Sequence, residues 1–182
     1  MIRTRVGYAG GTTKAPAYDR LGDHTETIQI DYDPREITYN ALLDIFWQSH
    51  NPATRPWSEQ YKTAIYYHND EQKEQAIQSR DRMAVKLGGK IYTEIIPLSE
   101  FHQAETYHQK YRLQQHPDLL QEFQAMYPVA KDFIDSTAAA RVNGYLSGYG
   151  SVEQLETELS GLGLSARGSE KLKQTVGAFK PK

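Results

Sequence analysis

The spacing of apolar and polar residues changes period along this chain. Thr25–Tyr32 alternates: Thr25, Thr27, Gln29 and Asp31 fall on one face, and Glu26, Ile28, Ile30 and Tyr32 on the other, the period of a strand. Asp33-Pro34 ends it. Over Thr38–Ser49 the period becomes helical, with Tyr39, Leu42, Leu43, Phe46 and Trp47 forming one stripe before Asn51-Pro52 stops the helix. A second strand over Gln60–Tyr67 puts Tyr61, Thr63, Ile65 and Tyr67 on one face. Asn69 with Gln72 three residues on is a capping-box pattern, and Gly88-Gly89 closes the helix that runs to Leu87. Arg3–Val6 and Ile91–Pro97 read as further strands, and Glu100–Gln114 as a further helix.

This alternation predicts an α+β fold, a mixed sheet with helices packed on it. The character changes after Pro128. Ser136–Leu146, Val152–Leu159 and Ser169–Val176 predict three short helices separated by Gly148-Tyr149-Gly150 and Gly161-Leu162-Gly163. Residues 1–128 therefore read as one domain, and 129–182 as a helical C-terminal extension.

Composition narrows the classes. The apolar fraction is 38%, and exchanging the 13 tyrosines for the 13 glycines leaves it there. Ordinary domains reach about 45–50% with glycine included, so the core is short of residues or partly built from outside the chain. Mean hydropathy is -0.70. The net charge of -2 is interspersed, without the basic stripe of a nucleic-acid partner. No apolar run is long enough to span a membrane, and the start MIRTRVGYAGG has no apolar signal region. The expectation is a soluble, cytoplasmic protein with neither nucleic acid nor membrane as partner. There is no cysteine, which removes disulfides, thiolate metal sites and thiol nucleophiles from the sequence as it stands. His102, Glu105 and His108 would lie at i, i+3 and i+6 of the last predicted helix, a poor spacing for one metal, and no metal is expected.

Two residues stay open on spacing alone. Glu26 begins the face that carries Ile28 and Ile30, so it is either a hydrated strand-end charge or a placed acid. Trp57, in the loop Ala53–Ser58, is either a packing residue or part of an aromatic wall.

Several segments, taken together, resemble the A-type peptide methionine-S-sulfoxide reductases (MsrA-like). They are Val6-Gly7-Tyr8-Ala9-Gly10-Gly11, Ala15-Pro16-Ala17-Tyr18, Asp23-His24-Thr25-Glu26, Tyr32-Asp33-Pro34, Phe46-Trp47-Gln48-Ser49-His50-Asn51-Pro52, Glu59-Gln60-Tyr61-Lys62-Thr63-Ala64-Ile65-Tyr66 and Ala104-Glu105-Thr106-Tyr107-His108-Gln109-Lys110-Tyr111. Their order over residues 1–115 carries the resemblance, which does not extend past about residue 130.

The resemblance implies a ferredoxin-like sheet and reduction of methionine-S-sulfoxide, free or in oxidised proteins, as in repair of oxidative damage. It implies no cofactor beyond a reductant, thioredoxin or another thiol. Glu26 matches the acid that protonates the sulfoxide oxygen, a role that calls for a carboxyl removed from water. Tyr18 and Tyr61 match the hydroxyls that grip that oxygen. His24 belongs to the same substrate-site motif, more as support for its loop than as a proton carrier, and Trp57 is the candidate for an aromatic wall. An aspartate that often stands five residues before the second tyrosine is Pro56 here. The Gly-Cys-Phe-Trp segment that supplies the nucleophile is absent, with the strand before it and the helix after it. The expectation is a sheet missing an interior strand, with a gap or apolar groove beside Arg3–Val6, and a desolvated Glu26.

Three readings follow: a reductase whose thiol-bearing segment is missing here, a non-catalytic binder of methionine or its sulfoxide, and a structural or partner-binding protein built on the C-terminal helices.

Overall fold

A computed structural model of the chain describes residues 1–179. The fold is α+β: five strands, β1 (Arg3–Ala9), β2 (Thr25–Asp31), β3 (Ala64–Tyr67), β4 (Glu94–Pro97) and β5 (Phe101–Gln103), and eight α-helices among the described residues. By its contacts the chain divides into two compact units. The first is Met1 with Val6–Ala104, and the second is Ile2–Arg5 with the chain from Glu105 onward.

In the first unit the helix signals act as the sequence predicts. Helix α1 (Tyr39–Gln48) starts where the Thr38 hydroxyl accepts the Ala41 N–H at 3.2 Å. Helix α2 (Asp70–Leu87) starts where Asn69 Oδ1 accepts the Gln72 N–H at 2.9 Å, while the Gln72 side chain takes the His68 N–H at 2.9 Å. It ends at Gly88, whose φ of 63° is left-handed. The helices bury Leu43, Trp47 and Ala76 together with Ile65 of β3, and the Trp47 indole donates to Ser79 Oγ at 3.1 Å. Helix α2 is the crossover between β3 and β4, a parallel pair with Ala64 opposite Glu94 and Tyr67 opposite Pro97.

Two expectations need correction. Residues 100–114 are not one helix. Phe101–Gln103 is strand β5, antiparallel to β1 with Gly7 opposite Gln103. A 3₁₀ turn (Thr106–His108) and helix α3 (Tyr111–Gln114) follow. The β1 edge takes up the first part as a strand, and Lys110 at φ 52° breaks any helix later. His102, Glu105 and His108 therefore share no helix face.

The second correction concerns the sheet. The strands form a three-stranded sheet, β2-β1-β5, and a separate pair, β3-β4. The sheet is thus split, as a missing strand implies, but no residue of β1 lines the opening, which is not beside Arg3–Val6. It is a groove of about 560 Å³ lined by residues of β2, of β3 and of α1. Ile28 and Ile30, which share a strand face with Glu26, line this groove, and Ile28 is 56% exposed. Tyr39, Leu42 and Phe46 of α1 line it too. The Tyr39 hydroxyl and His50 Nε2 in its lining are buried with no hydrogen-bond partner among the described residues. Burial pushes the Tyr39 phenol up to about 12.

The second unit holds the largest buried apolar cluster, including Leu113, Leu119, Phe123, Val142, Leu155 and Leu172. Helices α4 (Pro117–Met126), α5 (Ala130–Asp135), α6 (Thr137–Leu146), α7 (Val152–Glu158) and α8 (Ala166–Gly177) build it with α3. The sequence pattern misses α4 and α5. Ser136, Ser151 and Ser165 cap α6, α7 and α8, each accepting a backbone N–H. Lys110 is buried here and donates to the carbonyls of Thr4 (2.6 Å) and Ile134 (2.8 Å), next to the Arg5–Asp135 ion pair at 2.7 Å.

Candidate functional site

The motif residues of the first unit gather where β2 begins. The Thr25 hydroxyl donates to the Glu59 carbonyl at 2.9 Å, and the Glu26 N–H donates to the Gln60 carbonyl at 3.1 Å. These bonds fix the loop before β3 against the start of β2. The Gln60 side chain then ties two candidate groups together: its amide nitrogen donates to Glu26 Oε1 at 2.7 Å and to the Tyr61 hydroxyl oxygen at 3.1 Å. The Trp57 ring lies against that of Tyr61, centroids 4.8 Å apart, and is 80% exposed. Tyr18 sits in a turn closed by the Arg20 N–H on the Ala17 carbonyl at 3.0 Å. Partial loss of hydration raises the Tyr61 phenol above its ordinary value. The nearby Glu26 and Tyr18 act in the same direction and the Gln60 bond against them. Tyr18, Glu26 and Tyr61 thus share one neighbourhood.

Glu26 is exposed, contrary to the expectation of a desolvated acid. The reason is its place: it lines the open groove, which no described residue covers.

His24 is not on a substrate-facing surface. Only 1% of it is exposed, and both ring nitrogens bond to main chain. Nδ1 accepts the Gly11 N–H at 3.2 Å, so Nε2 carries the hydrogen and donates to the Thr13 carbonyl at 2.8 Å. Neighbouring Asp23 accepts the N–H and hydroxyl of both Thr12 and Thr13 at 2.8–3.0 Å, which holds its carboxyl far below the usual range. A Cβ on Gly11 would stand 2.6 Å from Asp23 Oδ1, so the close approach requires glycine. Asp23 and His24 anchor the loop that carries Tyr18; they are its scaffold.

The family described as peptide methionine sulfoxide reductase matches residues 1–141. This chain belongs to that family. A second family description, the helical domain of selenoprotein methionine sulfoxide reductase A, matches residues 131–177, so the likeness extends over the C-terminal helices that the motif comparison left outside. A peptide methionine sulfoxide reductase of Drosophila melanogaster is 42% identical over 170 residues, 91% of this chain and 67% of the relative. Peptide methionine sulfoxide reductase A5 of Arabidopsis thaliana is 39% identical over 80% of this chain and 59% of its own length. Among solved structures, methionine sulfoxide reductase A of Corynebacterium diphtheriae superposes with TM-score 0.56 at 34% identity, covering 63% of each chain. Reduced Mxr1 of Saccharomyces cerevisiae gives 0.58 at 31% identity, covering 63% of this chain and 71% of that one. The chain thus spans about three-fifths to two-thirds of the length of these curated relatives.

Within the methionine sulfoxide reductase family frame, the residue that motif reading missed is Gln60. Its signal lies inside Glu59-Gln60-Tyr61, directly before a candidate tyrosine. No helix of the described residues is long and apolar enough to cross a membrane.

Proposed function

We propose that this chain carries the oxygen-handling half of a peptide methionine-(S)-S-oxide reductase, and that the thiol completing the reaction comes from a segment seated in the groove between β2 and β3. The observation that carries this reading is the clamp of Glu26 and Tyr61 by Gln60 on the border of an uncovered groove. Family membership supports it, as does the unsatisfied, half-finished lining of the groove.

In this reading the Tyr18 and Tyr61 hydroxyls donate to the sulfoxide oxygen and Glu26 supplies its proton. An external thiolate attacks the sulfoxide sulfur, the S–O bond breaks, methionine leaves, and the oxygen ends on the attacking sulfur as a sulfenic acid. Two equivalents of a reducing thiol, of thioredoxin type, return the sulfenic acid to thiol and release water and a disulfide. Filling the groove would also take water from Glu26, which is the condition a proton donor needs. Trp57 flanks Tyr61 as the wall for the substrate side chain. By sequence, residues 1–128 are the reductase-like domain and 129–182 a helical extension, with Leu113, Leu119 and Phe123 of the former sharing the buried cluster of the C-terminal helices. Without a partner thiol the chain does not turn over.

The lack of any cysteine beside the cluster of Glu26, Gln60 and Tyr61 favours one other reading, a sulfoxide-binding protein without catalysis. Both readings require binding. Titration of the labelled chain with N-acetyl-methionine-S-sulfoxide should shift the resonances of Glu26 and Tyr61, the R-epimer should shift them less, and Glu26→Gln should weaken the response. No response at these residues to either epimer would contradict the proposal.

A further inference from the structure

The clamp at the start of β2 does more than bring an acid and a phenol close; it determines which of their atoms are left facing outward. Gln60 has one side-chain nitrogen with two hydrogens, and each hydrogen has a destination. One goes to Glu26 Oε1 at 2.7 Å and the other to the Tyr61 oxygen at 3.1 Å. The main chain fixes the geometry independently, because the Gln60 carbonyl accepts the Glu26 N–H at 3.1 Å and the Glu59 carbonyl accepts the Thr25 hydroxyl at 2.9 Å. Residue 60 thus grips residue 26 through both its backbone and its side chain.

Two consequences follow from donor and acceptor chemistry. An oxygen that accepts an N–H is a poor place for a proton on the same side, so the proton of a neutral Glu26 belongs on Oε2. The Tyr61 oxygen, already accepting from Gln60, still has its own hydrogen to give, directed away from the amide. We propose that Gln60 is a positioning residue that leaves Glu26 Oε2 and the Tyr61 hydroxyl hydrogen as the pair that meets the sulfoxide oxygen. The inference rests on the sulfoxide-reductase reading for its ligand. The bridge between the two side chains stands apart from that reading. The same amide bond works against the other influences on Tyr61, drawing its phenol back toward the ordinary value.

Gln60→Met keeps the length of the side chain and removes both donors. Gln60→Glu keeps its shape and replaces the donor by a carboxyl. In each variant the ionisation of Tyr61 is followed by pH titration of its ring resonances, the fold by the amide fingerprint, and binding by titration with N-acetyl-methionine-S-sulfoxide. The expected result is a Tyr61 that titrates at higher pH in Gln60→Met, and higher still in Gln60→Glu. The affinity for the S-sulfoxide should fall about fivefold to tenfold in Gln60→Met, the worth of about one hydrogen bond. An unchanged Tyr61 titration in a folded variant would overturn the proposal, whatever the affinity does, because a purely structural glutamine would lower binding without touching the phenol. A wild-type chain that binds no sulfoxide would remove the ligand from the argument, while the Tyr61 shift would still show the bridge.

Discussion

Glu26 and Gln60 are joined twice, by the Glu26 N–H on the Gln60 carbonyl at 3.1 Å and by the Gln60 amide on Glu26 Oε1 at 2.7 Å. Thirty-four residues separate them in sequence, yet this pair locks the first residues of β2 to the loop before β3. It defines one border of the groove and presents the acid to it. A site of this kind is fixed by loop closure rather than by a helix or strand alone, and so its parts can be tested one at a time.

His24 is a scaffold residue, and its removal should be costly to folding. His24→Ala leaves the Gly11 N–H and the Thr13 carbonyl without their partner and opens a cavity in a buried site. The expected loss is about 2–4 kcal/mol in denaturant unfolding. A loss below about 0.5 kcal/mol, the size typical of surface changes, would contradict the assignment.

Lys110 sets a pH dependence of stability. Burial lowers its ammonium to about 8, with Asp135 acting to raise it and Arg5 to lower it. Its folded value lies below the ordinary value of a lysine, so between about pH 8 and 10 the unfolded chain binds more protons than the folded one. Stability contributed by this group therefore rises with pH across that window, by up to about 3 kcal/mol in the limit. Above pH 10 the raised phenols of Tyr39 and Tyr145, both near 12, act in the opposite sense, because the unfolded tyrosines lose their protons first. Urea unfolding at pH 7.5 and 9.5 should show the rise in the wild-type chain and a flatter response in Lys110→Met.

At Gly7, β5 lies close against β1. A Cβ there would stand 2.3 Å from the His102 carbonyl oxygen and 2.5 Å from the Phe101 ring. One of these contacts is backbone and cannot swing away. Gly7→Ala should destabilise the chain by about 1–3 kcal/mol and loosen the β1–β5 pairing. Hydrogen exchange of the Ala9 and Gln103 region against the wild type checks it; unchanged protection would show that the strands can separate to make room.

Much of this was legible in the sequence because local signals carried it. The Asn69 cap, the Gly88 stop and the alternation of β2 depend on neighbours within a few residues. Residues 100–114 misled because a helical spacing was outcompeted by a distant strand edge, and nothing local reports the availability of β1. The motif marks Glu26 but not its exposure, since burial depends on what fills the groove. The role of His24 lies in the engagement of both its ring nitrogens by main chain, which no local pattern reports.

The central claim is that the oxygen-handling groups are present and the thiol is not. It is tested most directly by turnover of N-acetyl-methionine-S-sulfoxide with dithiothreitol, using the purified chain alone and the chain with a synthetic peptide in which an extended apolar stretch runs into Gly-Cys-Phe-Trp. The account predicts no product above background from the chain alone, product when the peptide is added, and none when serine replaces the peptide's cysteine or when Glu26→Gln is used. Turnover by the cysteine-free chain on its own, or a peptide that seats in the groove and yields no product, would contradict it.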